Sequence, residues 1–171
     1  NRLALSLDKA LDNVDHEVNW YIRDNGSSDG SPEWLKEDHK FRNYKIIPHF
    51  ISHNRDNFAQ GVNYLYEASL DNKSDYIMLL NNDIEFTDSN SIPEMLKLFK
   101  HKNIGVVGAR LLYNGTDRLQ HAGVIFGKRY GNMPYHFRHK EVSDSDAEKN
   151  RFFQAVTAAC CLIRSEAMLK L

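Results

Sequence analysis

Apolar positions along this chain change period repeatedly, and each change marks an expected element. Leu3, Leu5, Leu7 and Leu11, with Ala4 and Ala10, suit the end of an amphipathic helix. Residues 17–23, rich in aromatic and β-branched side chains, predict a strand. They run into Asp24-Asn25-Gly26-Ser27-Ser28-Asp29-Gly30-Ser31, a dense turn cluster. Ser31-Pro32-Glu33 then reads as an N-cap with Pro at the first helical position. A second strand is expected over 44–52, and a helix over 58–68 with Ala59, Val62, Leu65 and Tyr66 on one face. A third strand covers 76–80, and Ser91-Ile92-Pro93-Glu94 opens a helix carrying Met95, Leu96, Leu98 and Phe99. Residues 104–112 predict a further strand, 114–135 are irregular and Gly-punctuated, and 144–150 form a charged, solvated stretch. A last strand is expected over 152–164, with a helix beginning at Ser165. Strands alternating with helices imply βαβ units, hence an α/β fold with a mostly parallel sheet flanked by helices.

The most informative segment is Tyr76-Ile77-Met78-Leu79-Leu80-Asn81-Asn82-Asp83-Ile84. A short, continuous apolar run with a polar stop reads as a strand buried on both faces that ends where it meets solvent. Ligands of open α/β sheets bind outside the carboxyl ends of such strands. Asp83 is therefore a candidate ligand for a divalent cation beside a phosphate-bearing molecule, since Mg²⁺ typically takes one or two carboxylates plus substrate phosphates. The alternative is a polar turn, for which Asn and Asp are ordinary residues. Glu85 follows two residues on.

Composition narrows the class without naming it. The 171 residues suit one domain with one sizeable core, 42% apolar and 26% charged. A net charge of −1 gives no general attraction to nucleic acid or anionic lipid. No apolar stretch is long enough to span a bilayer. Cys160 and Cys161 are adjacent and make neither a disulfide framework nor a zinc site, which favours a reducing compartment such as the cytoplasm. The chain starts at Asn1 without methionine and stops inside an expected helix, so it reads as a truncated domain.

Other constellations each carry two readings. Asp24 ends the first visible strand, where a carboxylate can accept hydrogen bonds from a base or ribose or can cap its own turn, and Asn25 follows it. No G-x-G-x-x-G or P-loop motif follows any strand. His53-Asn54-Arg55-Asp56-Asn57 places polar side chains at a strand end and helix start, where amides and the helix dipole favour anions. Asn63 lies on an otherwise apolar helix; a buried amide there ties down a loop or touches a ligand. His121, among small residues in Arg118-Leu119-Gln120-His121-Ala122-Gly123-Val124, is a base, a substrate contact or a satisfied core histidine. His136 and His139 have no paired ligand spacing, which discounts zinc. The small residues of Val156-Thr157-Ala158-Ala159-Cys160 admit a substrate to the backbone, or simply pack.

Taken in order, the 24–31 cluster, the 54–63 segment, Leu80-Asn81-Asn82-Asp83, Gly105-Val106-Val107-Gly108-Ala109-Arg110, Leu119-Gln120-His121-Ala122-Gly123 and Val156-Thr157-Ala158-Ala159-Cys160 resemble the family 2 glycosyltransferases, which have the GT-A fold. The similarity is nearest to the bacterial branch that builds surface polysaccharides, including rhamnosyltransferase-like members. The resemblance implies an inverting transfer from a UDP- or dTDP-sugar to a saccharide or lipid-linked acceptor. It also implies a divalent cation, Mg²⁺ or Mn²⁺, and is compatible with peripheral membrane association at the inner face of the plasma membrane.

Carried over by position, Asp24 and Asn25 contact the nucleoside, and Asn54, Arg55 and Asn63 line its pocket. In many relatives a Gly precedes the Phe-Ala pair, where this chain has Asn57. Asn81-Asn82-Asp83 stands at the family's D-x-D motif with Asn81 replacing the first carboxylate, leaving Asp83 as the metal ligand beside Asn82. Thr157 and Ala158 lie beside the donor sugar, and His121 is placed as an acceptor-side contact. The catalytic base of the family belongs to an acidic block expected beyond Leu171, so the truncated chain is expected to be incompetent for transfer by itself. Rival readings are a sugar-phosphate nucleotidyltransferase and a carbohydrate-binding or scaffolding domain that kept the fold without the chemistry.

Overall fold

The computed structural model describes residues 2–51, 57–128 and 131–168. These fall into two compact units, one of residues 1–74 with 85–92 and one of residues 75–84 with 93–171.

In the first unit, α1 (Arg2–Ala10) turns its 3-4-7 apolar stripe inward, burying Leu3, Ala4, Leu7 and Ala10, and Leu11 just beyond, while Leu5 on the other side is exposed. The buried Tyr44 hydroxyl donates to the Ala4 carbonyl at 2.9 Å, tying the helix to the start of β2 (Lys45–Phe50). β1 (Asn19–Asp24) pairs parallel with β2, Asn19 opposite Lys45 through Asp24 opposite Phe50. Alternation puts Tyr21, Arg23, Ile47 and His49 on one face. There His49 stacks on Tyr21 at 6.0 Å, and Arg23 lies over the Tyr64 ring of α3 (Phe58–Ser69) at 4.8 Å.

Helix starts use chemistry that the sequence partly disguised. α2 (Ser31–Lys36) is capped by Gly30, not by the expected Ser31. Gly30 takes φ +82°, a left-handed conformation that glycine adopts without steric cost, and the Asp29 carboxylate accepts the Ser31 N–H at 3.1 Å. Asn57 caps α3 through a full capping box: its side chain accepts the Gln60 N–H at 3.0 Å, and Gln60 returns the bond to the Asn57 N–H at 2.9 Å. Asn57 therefore has a local reason of its own at this position. Asn63, expected as a buried amide, is exposed, because α3 presents no fully buried face.

The second unit is built on a three-stranded sheet ordered β3 (Tyr76–Leu80), β9 (Cys160–Arg164), β4 (Val106–Gly108). β9 runs antiparallel to both neighbours, with Leu80 opposite Cys160 and Gly108 opposite Cys161. β3 and β4 thus run the same way, joined through α4 (Ser91–Leu98), but β9 occupies the place between them. This corrects the expected mostly parallel sheet: among the described pairings only β1 with β2 is parallel. It also corrects β3 as a strand buried on both faces, since all five of its residues are only half-buried. The centre belongs to β9, where Cys160, Cys161, Leu162 and Ile163 are all buried.

The expected strand over 104–112 divides into β4 and β5 (Leu111–Leu112), which belong to different sheets. The stretch expected to be irregular holds two antiparallel pairings instead. β5 pairs with β6 (Leu119–His121), and β7 (Val124–Phe126) pairs with β8 (Pro134–His136). Of the expected strand over 152–164 only β9 is regular, and α5 (Ser165–Met168) follows it. The charged stretch is held by Arg138, whose guanidinium bonds Glu141 at 2.8 Å and Asp144 at 2.7 and 2.9 Å.

Gly123, between β6 and β7, takes φ +112°, and a Cβ there would overlap the Phe153 ring. Gly123→Ala combines backbone strain with overpacking and is expected to lower stability by about 2–4 kcal/mol. Urea unfolding followed by circular dichroism measures this.

Candidate functional site

In the first unit, Asp24 ends β1 with 7% of its surface exposed. Its carboxylate accepts the Gly26 N–H at 3.1 Å and the Ser27 N–H at 3.2 Å, closing the turn on itself. The Ser27 hydroxyl, then the Ser27 and Gly26 amides, hold its pKa below the ordinary carboxylate value against the opposing effect of burial. The carboxylate is charged and pre-oriented, with lone-pair capacity beyond those bonds. Gly26, at φ +81°, makes the reversal that brings both amides to it. The Asn25 side-chain oxygen is buried with no hydrogen-bond partner among the described residues. Asn54 and Arg55 lie outside the described residues. Asn63 is exposed on α3, at the sixth residue of that helix.

In the second unit three strand ends converge. Because β9 is antiparallel to β3, the residues entering β9 lie beside the residues leaving β3. The Asn81 N–H donates to the Ala159 carbonyl at 2.8 Å, and the Ala109 N–H, just past β4, donates to the Cys160 carbonyl at 3.0 Å. Gly108 is required by this crowding, since a Cβ on it would stand 2.6 Å from the Val156 Cβ. The Asn81-Asn82-Asp83 turn and the Thr157-Ala158-Ala159 stretch, 76 sequence positions apart between Asn81 and Thr157, are thereby neighbours. Asn82 and Asp83 are exposed, and no hydrogen bond or ion pair engages the Asp83 carboxylate among the described residues.

His121 sits behind this stretch, 2% exposed. Its Nε2 is shared by the Gly123 N–H at 3.2 Å and the Thr157 N–H at 3.3 Å, and its Nδ1 lies 2.8 Å from Nδ1 of His136. Two backbone donors on Nε2 require an unprotonated nitrogen there, so the neutral ring carries its proton on Nδ1 and donates it to His136. Burial first, and His136 second, lower the His121 pKa to about 4. Both ring nitrogens of the expected acceptor-side contact are thus engaged within the fold. Sequence reasoning considered His136 only as a zinc ligand. It is brought to His121 by the β7–β8 register, where Val124 faces His136, a pairing across 12 positions that no local spacing announces.

Among the described residues no cluster of three or more His, Cys, Asp or Glu side chains is arranged to hold a metal. Asp83 offers one unengaged carboxylate beside two amide side chains, the hard oxygen donors a divalent cation takes when ligand phosphates supply the remainder. No described helix is long and apolar enough to cross a membrane.

In this mixed α/β chain a polar turn and a small-residue stretch converge at one sheet end. The comparison is more specific: the chain belongs to glycosyl transferase family 2, whose family model matches residues 1–168. That membership implies the GT-A α/β fold, with which the mixed α/β content agrees. The chain is 31% identical over 103 residues, 58% of its length, to an uncharacterised protein of Sinorhizobium fredii, and covers 11% of that protein. It is 33% identical over 96 residues, 53% of its length, to an O-antigen biosynthesis protein of Myxococcus xanthus, and covers 7% of it. The chain thus spans about a tenth or less of the length of these relatives. No solved structure matches significantly.

The lowered His121 pKa sets a pH dependence. In the unfolded chain the ring takes up a proton near the ordinary 6.5, whereas in the folded chain it resists until about 4. The unfolded state therefore binds more protons across that window, and stability is expected to fall as pH drops from 6.5 towards 4. Urea midpoints measured at a series of pH values should fall through this range, and fall less in His121→Gln, which keeps an acceptor but does not titrate.

Proposed function

We propose that this chain is the donor-binding part of an inverting glycosyltransferase acting in bacterial surface-polysaccharide synthesis. Its donor is a UDP- or dTDP-sugar and its acceptor a saccharide or lipid-linked saccharide. The observation that carries this reading is the exposed, unengaged Asp83 carboxylate, in a turn tied through Asn81 to the Thr157–Ala159 stretch. Membership of family 2 supports glycosyl transfer, and the O-antigen biosynthesis relative supports the polysaccharide context. The work takes place in the cytoplasm, at the inner face of the plasma membrane when the acceptor is lipid-linked.

Each residue has a role on this reading. Asp24, held charged by its own turn, accepts hydrogen bonds from the base or ribose, and the unsatisfied Asn25 oxygen lies next to it in sequence. Asn54, Arg55 and Asn63 line the nucleoside side of the donor. Asp83 holds Mg²⁺ or Mn²⁺ with Asn82 beside it, and a cation bound there neutralises charge on the departing nucleoside diphosphate. Thr157 and Ala158 pass beside the donor sugar, where small side chains leave the backbone approachable. His121, assigned by position to the acceptor side, is buried with both ring nitrogens engaged within the fold.

Calorimetric titration with UDP, dTDP, GDP and CMP, with and without Mn²⁺, tests the proposal after circular dichroism has established folding. One diphosphate should bind in a Mn²⁺-dependent way. Asp83→Ala should weaken that binding by about tenfold or more while leaving the far-ultraviolet spectrum unchanged. Mn²⁺-dependent binding of equal strength in the variant would remove Asp83 as the metal ligand, and a folded chain that binds none of the four would favour the scaffolding alternative.

A further inference from the structure

The Asp83 turn is connected to the surface of the β7–β8 pair by a chain of polar contacts that the transfer chemistry does not use. Beginning at the turn, the Asn81 N–H bonds the Ala159 carbonyl, the Ala159 N–H bonds Thr157 Oγ1 at 3.3 Å, and the Thr157 N–H bonds His121 Nε2. Nδ1 of His121 then meets Nδ1 of His136, an exposed residue at the end of β8. The chain of contacts has one proton arrangement that satisfies every member. His121 must be the Nδ1–H tautomer, and His136 must offer a lone pair on Nδ1, its own proton lying on Nε2.

Protonating His136 breaks that arrangement. Both of its nitrogens become donors, and two N–H groups then oppose each other across 2.8 Å. His121 is enclosed and resists taking a second proton, so the conflict has two outlets. The rings separate, or the His121 proton passes from Nδ1 to Nε2. In the second case Nε2–H faces the Gly123 and Thr157 amides, which lose their acceptor. In the first, His121 loses the bond that fixes its orientation towards them. Either outlet loosens the Thr157 backbone from its support.

We propose that His121 is a positioning residue for the Thr157–Ala159 stretch and the Asp83 turn, held in its Nδ1–H tautomer by His136, and that protonation of His136 releases both segments. This rests on the donor-site reading for its functional meaning, though not for its structural content. Among the described residues, the ionisable groups in ring contact with His136 are His121, with ring planes 84° apart, and His139, with ring centroids 5.6 Å apart. From β7 the facing residue is Val124, which does not ionise. Arg138, two residues along, is neutralised by Glu141 and Asp144, and the Tyr113 hydroxyl lies 3.4 Å from Nε2 of His139.

The test is a pH titration of the ¹⁵N-labelled chain by NMR, reading the Gly123, Thr157, Asn81 and Asn82 amides together with the histidine rings. In the unaltered chain these amides should move with one shared midpoint, that of the His136 ring, and the His121 ring should report a proton on Nδ1 at neutral pH. His136→Asn places an amide oxygen where Nδ1 stood and cannot titrate; the four amides should stay near their neutral-pH positions throughout. Mn²⁺-dependent diphosphate affinity should weaken about tenfold as the His136 ring takes up its proton in the unaltered chain, and by no more than about threefold over the same pH range in His136→Asn. Amides that titrate equally in the variant, or that stay still while the His136 ring titrates, would overturn the proposal. The amide readout needs no ligand, so a chain that bound no diphosphate would count against the donor site and leave the relay to be judged on its own signals.

Discussion

The pairing of β9 with β3 on one side and β4 on the other is the constraint on which the second unit depends. Four consecutive residues of β9 are buried, and a fully buried Leu or Ile side chain contributes about 1.5–3 kcal/mol relative to exposure. That burial fixes register, because a slip by one residue would exchange the faces of the whole strand. Register in turn determines which residues stand at the sheet end: Ala159 against Asn81, and Cys160 against Ala109. Had β9 run parallel to β3, its entry would lie at the opposite end of the sheet, and Thr157 could not meet the Asp83 turn.

Polar groups near that sheet end are arranged so that one remains available. His121 is buried and neutral, with both nitrogens in use, and Thr157 spends its hydroxyl on the Ala159 amide. Asp83 keeps an exposed carboxylate without a hydrogen-bond or ion-pair partner among the described residues. In the first unit the logic is reversed, since Asp24 is charged because its own turn donates to it. The two aspartates therefore differ in their surroundings, one carboxylate oriented by its own turn and the other unengaged.

Legibility from sequence followed the range of the interaction. The helix stripe of α1, the limits of β3 and the turn after Asp24 depend on residues within a few positions of each other, and all were readable. Asn57 was readable in principle, because a capping box places Gln60 three residues on. The exposure of Asn63 was not readable, since an apolar helical stripe says which face is favoured and not how completely it is covered. The His121–His136 bond was invisible for the same reason, as it depends on how two short hairpin strands fold over each other.

Sequence alone determined the α/β character, the order of motifs that marks family 2, and the polar turn that ends β3. These follow from local periodicity and from residue types with few conformational options. Tertiary structure decided strand direction, because an apolar run such as Cys160–Arg164 can pair equally well either way until its neighbours are in place. It also decided which polar residues are engaged within the fold and which remain unengaged, since a hydrogen bond across dozens of positions leaves no trace in the spacing of the chain.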